Sequence, residues 1–385
     1  MTDVLISGAG IAGSTLAYWL ARAGLNPTVV ERSQGLRSSG NPVDVRGPAV
    51  PVVEAMGVMP ALRQAATATA TMSLLAPSGR PAARLATPAA RGRRDEAEIP
   101  RADLAAVLYE AARPHAEFVF DDTITALHPD GDGVDVVFDR AAPRRFDLVV
   151  GADGLHSTVR RLAFGPERDH VHHLGLYVAT LPLGRPADRP DEIVLYNTPG
   201  RLASIHPARG SALAAFIFRG PALADVGDGD GAGAGAGADG RDLDRSRRIV
   251  LDAYAGAGWE VPRLLDTLRE ADDFYFDAVS AVRLDTWTRG RVSLVGDAAS
   301  CVSLLGDGSS LAISAAHTLA DSLANHRDVA DALRAYEHRH RKLVAPKQRT
   351  VGVAAGWLVP KTRLGIAARN LSAKAMPSGP RTRSA

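Results

Sequence analysis

The sequence has one cysteine, Cys301, so no intramolecular disulfide can form and no zinc cluster can be built from thiolates. It lacks an excess of charge as well. The 45 basic and 43 acidic side chains leave a net +2, without the concentrated basic surface that phosphate-backbone binding needs, so no nucleic-acid partner is expected. No stretch approaches the roughly 18 uninterrupted apolar residues of a membrane span, and the opening MTDVLISGAG has no basic region ahead of a long apolar segment. These absences predict a cytoplasmic chain with no membrane partner. What is present is ordinary globular composition, 46% apolar and 23% charged over 385 residues. At roughly 100–200 residues per domain this suits two or three domains, or one large α/β body carrying a second sheet.

Residues Asp3 to Ser7 read as a short buried strand, Ile11 to about Ala23 as a helix with apolar residues at helical spacing, and Thr28 to Val30 as a second strand ending in Glu31 and Arg32. Gly8, Gly10 and Gly13 form GxGxxG at the strand-to-helix turn, where small residues allow a tight turn, close approach of a pyrophosphate and close helix–sheet packing. The helix start adds unpaired N–H groups and the positive end of its dipole. Glu31, 23 residues after Gly8, stands where a carboxylate accepts hydrogen bonds from a ribose diol. Arg32 suits either a phosphate or adenine contact, or solvent.

The alternation then breaks, unlike that of a plain nicotinamide-dependent dehydrogenase. One helical stretch is expected near Ala49 to Met56, a small hairpin in MSLLAPSGRPAARL, and a helix after Ile99–Pro100. Strand-like runs follow in FVFDDTITALHP and GVDVVFD. A buried strand, FDLVVGADG, delivers Asp153 to a strand end, where open α/β sheets bind ligands. Arg160, on the next helix, can pair with Asp153 or with a phosphate. From His173 to Phe218, short β-rich runs predict a second sheet that can wall a substrate cavity. The glycine repeat from Gly227 to Gly240 has too little side chain to bury and reads as a flexible loop. Helix is expected over 243–269. The strand RVSLV then leads to Gly296–Asp297, and Gly306–Asp307–Gly308 open a helix to about Leu323. A helical C-terminal region is expected to pack on the first domain, with the last dozen residues mobile.

Together, GAGIAG with Glu31, Arg101 before its helix, GADGLHSTVR (151–160) and GDAASCVSLLGDG (296–308) resemble the single-component FAD-dependent aromatic hydroxylases, the monooxygenase family related to para-hydroxybenzoate hydroxylase and to polyketide and antibiotic hydroxylases. The resemblance spans roughly residues 3–330. It implies an α/β fold: a Rossmann-like FAD-binding domain with an interleaved β-sheet substrate domain and C-terminal helices. The FAD-binding domain would comprise 1–72, 101–172 and 271–330. A substrate-domain hairpin at 73–100 and a substrate-binding sheet domain at 173–270 interrupt it, and 331–385 form the C-terminal region.

By the same resemblance, Gly8, Gly10 and Gly13 hold the FAD pyrophosphate and Glu31 the adenosine ribose. Arg101 approaches the ribityl or pyrophosphate portion, and Asp153 contributes to FAD and nicotinamide handling. Asp297, after Gly296, binds the ribityl or pyrophosphate portion, and the Gly306 to Gly308 turn sits by the flavin ring. Arg46, in VDVRGPA, resembles a basic residue near the flavin, with pairing to Asp44 as the structural alternative. The implied reaction uses NADPH or NADH and O2 to hydroxylate an aromatic or polyketide-like small molecule through a flavin hydroperoxide. Dehydrogenation, epoxidation, ring rearrangement or noncatalytic flavin binding are the alternatives. Ser300 stands where many relatives have histidine, and the following prolines are missing; a WxWxIP segment is absent, which argues against halogenation. No metal site is expected, since His338 and His340 do not share a helix face. Cys301 reads as a packing residue. His206 and Tyr196 are candidates for a substrate-activating base. The chain is expected to be a monomer or homodimer.

Overall fold

Strand β1 (Asp3–Ser7) carries Val4, Leu5 and Ile6, each fully buried, the continuous apolar run that a strand covered on both faces requires. It begins the chain in a computed structural model that describes residues 2–36, 42–67, 69–87, 96–208, 210–223, 240–302 and 306–375. Helix α1 (Ile11–Arg22) and strand β2 (Asn26–Glu31) follow, then β3 (Val43–Val45), α2 (Val50–Ala55), α3 (Met59–Ala65), and the hairpin of β4 (Thr71–Leu75) and β5 (Pro81–Ala86). β6 (Ala97–Ile99) leads into α4 (Arg101–Ala112). Five strands come next: β7 (Glu117–Phe120), β8 (Ile124–Pro129), β9 (Val134–Phe138), β10 (Arg144–Phe146) and β11 (Leu148–Gly151). α5 (Thr158–Phe164) precedes β12 (Val171–Pro182), β13 (Glu192–Thr198), β14 (Arg201–His206) and β15 (Leu213–Arg219). The chain continues with α6 (Gly240–Ala253), α7 (Val261–Glu270), β16 (Tyr275–Val282), β17 (Thr288–Arg289), β18 (Val292–Leu294) and the single turn α8 (Asp297–Ser300). It ends in α9 (Asp307–Asn325), α10 (Val329–Leu358) and α11 (Arg363–Lys374).

Among the described residues, a six-stranded sheet has the order β17-β18-β11-β1-β2-β7. β1 pairs in parallel with both β2 and β11, so the chain moves to one side of β1 first and returns to the other later. That reversal leaves a crevice at the carboxyl ends of β1 and β11, the place where open α/β sheets take ligands. The expected α/β class, with interleaved sheets and C-terminal helices, is the fold observed.

A seven-stranded sheet, β16-β12-β15-β14-β13-β4-β5, forms the second layer. Tyr177, Ala179, Phe216 and Phe276 leave one face and pack under Val250 of α6, Tyr254 just after it, and Leu264 and Leu268 of α7. Leu176, Ile193, Leu195 and Leu202 leave the other face and meet Ala355, Leu358, Val359 and Ala373. Period-two alternation along each strand produces this two-sided burial.

The C-terminal region departs from expectation. The first half of α10 does pack near the six-stranded sheet, where the buried Tyr336 hydroxyl donates to the Leu294 carbonyl at 2.9 Å. Its second half and α11 cover the seven-stranded sheet instead: Arg219 donates to the Val359 and Ala355 carbonyls, and Arg369 to Asn197. Gly356 does not interrupt α10, which ends two residues before Pro360. Three further elements were not anticipated: α3, the β3–β6 pair, and the break between β7 and β8 at Asp121, whose φ is +61°. The 227–239 part of the glycine repeat, Ser303, Leu304 and the tail from 376 lie outside the described residues.

Candidate functional site

The crevice is a cleft of about 440 Å³ lined by both sheets, within the usual range for small-molecule sites. At its floor, Gly8 has φ +101° and donates its N–H to the Val30 carbonyl at 2.7 Å. Gly13 lies one helical turn on, where a Cβ would fall 1.8 Å from the Gly8 carbonyl oxygen. That contact sets α1 directly on the turn. Gly10, by contrast, has no atom within 4 Å of where a Cβ would stand; it caps α1 with no side-chain partner and lines the cleft. The unpaired amides of the first helical turn thus open onto the cleft, an anion site by construction.

Glu31, at the end of β2, is fixed by two amides: Ala9 donates to Oε2 at 2.9 Å and Ser33 to Oε1 at 3.0 Å. Each oxygen keeps a second lone pair for a diol. Glu31 and Arg32 both line the cleft, as does Arg101, the first residue of α4. Asp297, at the start of α8, and Gly306, Gly308 and Ser309, at the start of α9, complete the lining. Gly296 sits behind, where an added Cβ would fall 2.9 Å from the Ala12 side chain.

Three expected ligand residues have protein partners of their own. Asp153 lines the cleft, but its carboxylate is taken up internally: Val159 N–H and the Ser7 hydroxyl donate to Oδ2 at 3.0 and 3.3 Å, and the Ser157 hydroxyl donates to Oδ1. Burial raises its pKa, against those hydrogen bonds. Arg160 does not line the cleft. It is fully buried, donates to the Ala298 and Leu155 carbonyls, and meets Glu167 at 3.4 Å, so it clamps the loop after β11 to α8. Arg46 is likewise absent from the lining. It bridges Asp44 at 3.1 Å and Asp307 at 2.7 Å, and Asp307 also holds Lys347 at 2.9 Å. Burial pushes the Asp44 carboxyl up to about 6 although Arg46 opposes it, whereas Lys347 and Arg46 hold Asp307 below the usual range in spite of burial.

Neither base candidate reaches the cleft. Tyr196 stacks on Trp259 with centroids 5.4 Å apart, and His206 bonds Ser204 at 3.0 Å, its pKa lowered by burial. Cys301 is buried, 4% exposed, at the cleft edge. Burial takes the His340 pKa down to about 4. Among the described residues no group of side chains is arranged to hold a metal ion, and no helix is long and apolar enough to cross a membrane.

The second sheet contributes residues that sequence reasoning did not single out: Val178, Thr180, Ile217, Tyr275, Asp277 and Val279. His156, from the loop after β11, faces them. Strand alternation places Tyr275 and Asp277 on one face, but only the tertiary fold shows which face meets the cleft.

The sequence profile of the family described as "FAD binding domain" matches residues 1–232. The chain belongs to this family of single-component FAD-dependent monooxygenases. It is 40% identical over 329 residues to an uncharacterised protein of Mycobacterium tuberculosis, covering 84% of this chain and 85% of that one. A flavin-dependent monooxygenase of Legionella longbeachae is 31% identical over 329 residues, 83% of this chain and 80% of that protein. The solved structure of tetracycline destructase Tet(51) matches with a TM-score of 0.81 at 28% identity, covering 99% of this chain and 100% of that one. Klebsiella pneumoniae HpxO complexed with FAD and uric acid shares the fold, with a TM-score of 0.76 at 21% identity over 98% of this chain and 94% of that one. The monooxygenase cleft fits FAD on its own geometry: open helix-start amides at Gly10, an anchored carboxylate at Glu31, and a second helix start in the same lining.

Proposed function

We propose that this monooxygenase uses NADPH or NADH and O2 to hydroxylate an aromatic or polyketide-like small molecule. One oxygen atom of O2 enters a C–H bond of the substrate, the other leaves as water, and NAD(P)H with one proton supplies the two electrons and two hydrogens. When bound, FAD accepts the hydride and activates O2; the protein positions the reactants and excludes water.

The observation that carries the reading is the continuity of the cleft from Gly8 and Glu31 to Asp297 and Gly306, with the second sheet as its outer wall. In it the amides at the start of α1 hold the pyrophosphate, with Gly8 and Gly13 shaping the turn, and Glu31 holds the adenosine ribose. Arg32 lies on the adenosine side. Arg101 and Asp297 hold the ribityl and pyrophosphate portions, and Gly306 to Gly308 border the ring. Asp153 lines the cleft beside Gly154, while Arg160, Arg46 and Gly296 shape this frame from behind. Val178, Ile217 and Val279 give the substrate an apolar wall. The likeness to tetracycline destructase Tet(51) at 28% identity supports a fused-ring substrate.

The test is a screen of aromatic and polyketide substrates with purified FAD-loaded protein, following NADPH and NADH oxidation under 18O2. One labelled oxygen per product is the expected result. Substrate oxidised without label would mean dehydrogenation.

A further inference from the structure

The outer wall of the cleft carries a charged chain that the proposed reaction leaves unassigned. Tyr275 and Asp277 stand two apart on β16, and both line the cleft. The Tyr275 hydroxyl donates to Asp277 Oδ2 at 3.1 Å. Asp277 Oδ1 accepts the Ala278 N–H at 2.7 Å and faces His156 Nε2 at 3.4 Å, long for a hydrogen bond but within reach of an ion pair. His156 Nδ1 lies 2.8 Å from Glu167 Oε1, and Glu167 in turn meets Arg160. The chain therefore runs from the cleft, across the junction of the two sheets, to a half-buried glutamate. Around it the wall is mainly apolar: Val178, Ile217 and Val279.

Two features define what this chain can do. A carboxylate is the strongest acceptor available to the Tyr275 O–H, so the hydrogen stays with Asp277 and the phenolic oxygen keeps its lone pairs for another donor. Both ring nitrogens of His156 face carboxylates, an arrangement satisfied only when both carry hydrogen. We propose that Tyr275 is a specificity-determining residue of the oxygenation, accepting a hydrogen bond from a substrate hydroxyl, and that His156 is the positioning residue that fixes Asp277 behind it. The inference rests on reading the cleft as the place where substrate meets FAD.

His156 is faced by Asp277 from β16 and by Glu167 from the turn after α5, with Arg160 of α5 beyond Glu167. Tyr275 has Arg101 of α4 and Cys301 nearby. Burial alone would lower the His156 pKa, but the hydrogen bonds and charges of Asp277 and Glu167 push it up to about 9. Burial and Asp277 push the Tyr275 phenol well above its usual range, so it keeps its hydrogen when His156 titrates. Deprotonation takes the hydrogen from Nε2, whose 3.4 Å contact is longer than the 2.8 Å contact of Nδ1 with Glu167, so a lone pair turns toward Asp277 and releases it.

The probes are anthracen-9-ylmethanol, a donor that does not ionise in this range, and its methyl ether, which cannot donate. Each is titrated into the FAD-loaded protein and followed by the change in bound-flavin absorbance. At pH 7 the native protein binds the alcohol about tenfold more tightly than the ether. Tyr275→Phe, shown to be folded by its retained FAD, binds the two alike. Between pH 7 and 10 the native preference falls with a midpoint near 9, and His156→Gln shows no such step. Equal response of the native protein to both probes, including none, overturns the proposal; so does a preference that survives in Tyr275→Phe or one that ignores pH. If these outcomes occur while FAD-dependent, O2-consuming NAD(P)H oxidation persists, the inference alone fails. If the protein retains no FAD, the proposed function fails with it.

Discussion

Alanine at Gly10 and alanine at Gly13 separate the two tasks of the glycine turn. At Gly13 the added methyl group would stand 1.8 Å from the Gly8 carbonyl oxygen, backbone against backbone. Relief requires α1 to move by more than about 1 Å, and overpacking of this kind costs typically 1–3 kcal/mol, with a rigid obstacle placing it at the upper end. At Gly10 the methyl group meets no protein atom, and φ −74° with ψ −167° is open to alanine. Its effect on the apoprotein is therefore expected within about 1 kcal/mol. It does occupy the space over the α1 amides. Losing one charge-assisted hydrogen bond to pyrophosphate is worth about 1.5–3 kcal/mol, or about 10- to 100-fold in Kd. Urea unfolding of the apoprotein and fluorescence titration with FAD measure the two quantities. Gly13→Ala should lose stability before FAD is added, and Gly10→Ala should lose only affinity. A Gly10→Ala protein that binds FAD as the native one does, or a Gly13→Ala protein of native stability, would contradict this division of tasks.

Arg160→Leu should destabilise the fold by about 3 kcal/mol or more, because two carbonyls and Glu167 lose a buried cationic partner; urea midpoints check this, and unchanged stability with weakened FAD binding would restore a ligand role. Cys301→Ala should retain FAD and oxygenation, with a loss of about 1 kcal/mol from the buried site, as turnover and unfolding curves would show. The raised His156 pKa has a stability consequence of defined sign. The folded value lies above the unfolded one, so its contribution is complete below about pH 6.5 and is lost as pH rises through about 9. The urea midpoint of the native protein should fall across that window more than that of His156→Gln.

The first unit was legible in the sequence because its signals are local. A buried apolar run, a glycine turn, a helical period and a terminal carboxylate lie within 3–31, and each is dictated by near neighbours. The second sheet was legible as a set of strands, since alternation marks each one, yet its cleft-facing residues were not. Which face of β16 meets the crevice depends on β12 lying beside it and on α6, α7, α10 and α11 covering the remainder. Arg46 and Arg160 show the same limit for charged groups. Both stand in motif segments, and the local Arg46–Asp44 pair was readable there, but each also has a distant partner, Asp307, 261 residues from Arg46, and the Ala298 carbonyl, 138 residues from Arg160. The C-terminal helices went astray because an apolar stripe specifies burial without specifying the surface that provides it.

The FAD proposed for this cleft would lie extended from the Gly8 turn to the start of α9. A crystal structure of the protein with FAD tests it most directly. The pyrophosphate oxygens should lie within about 3.2 Å of the α1 N-terminal amides, with the adenosine ribose on Glu31 and the ring between Gly306–Gly308 and the Tyr275 wall. FAD bound on another surface, or a cleft left empty at saturating FAD, would contradict it.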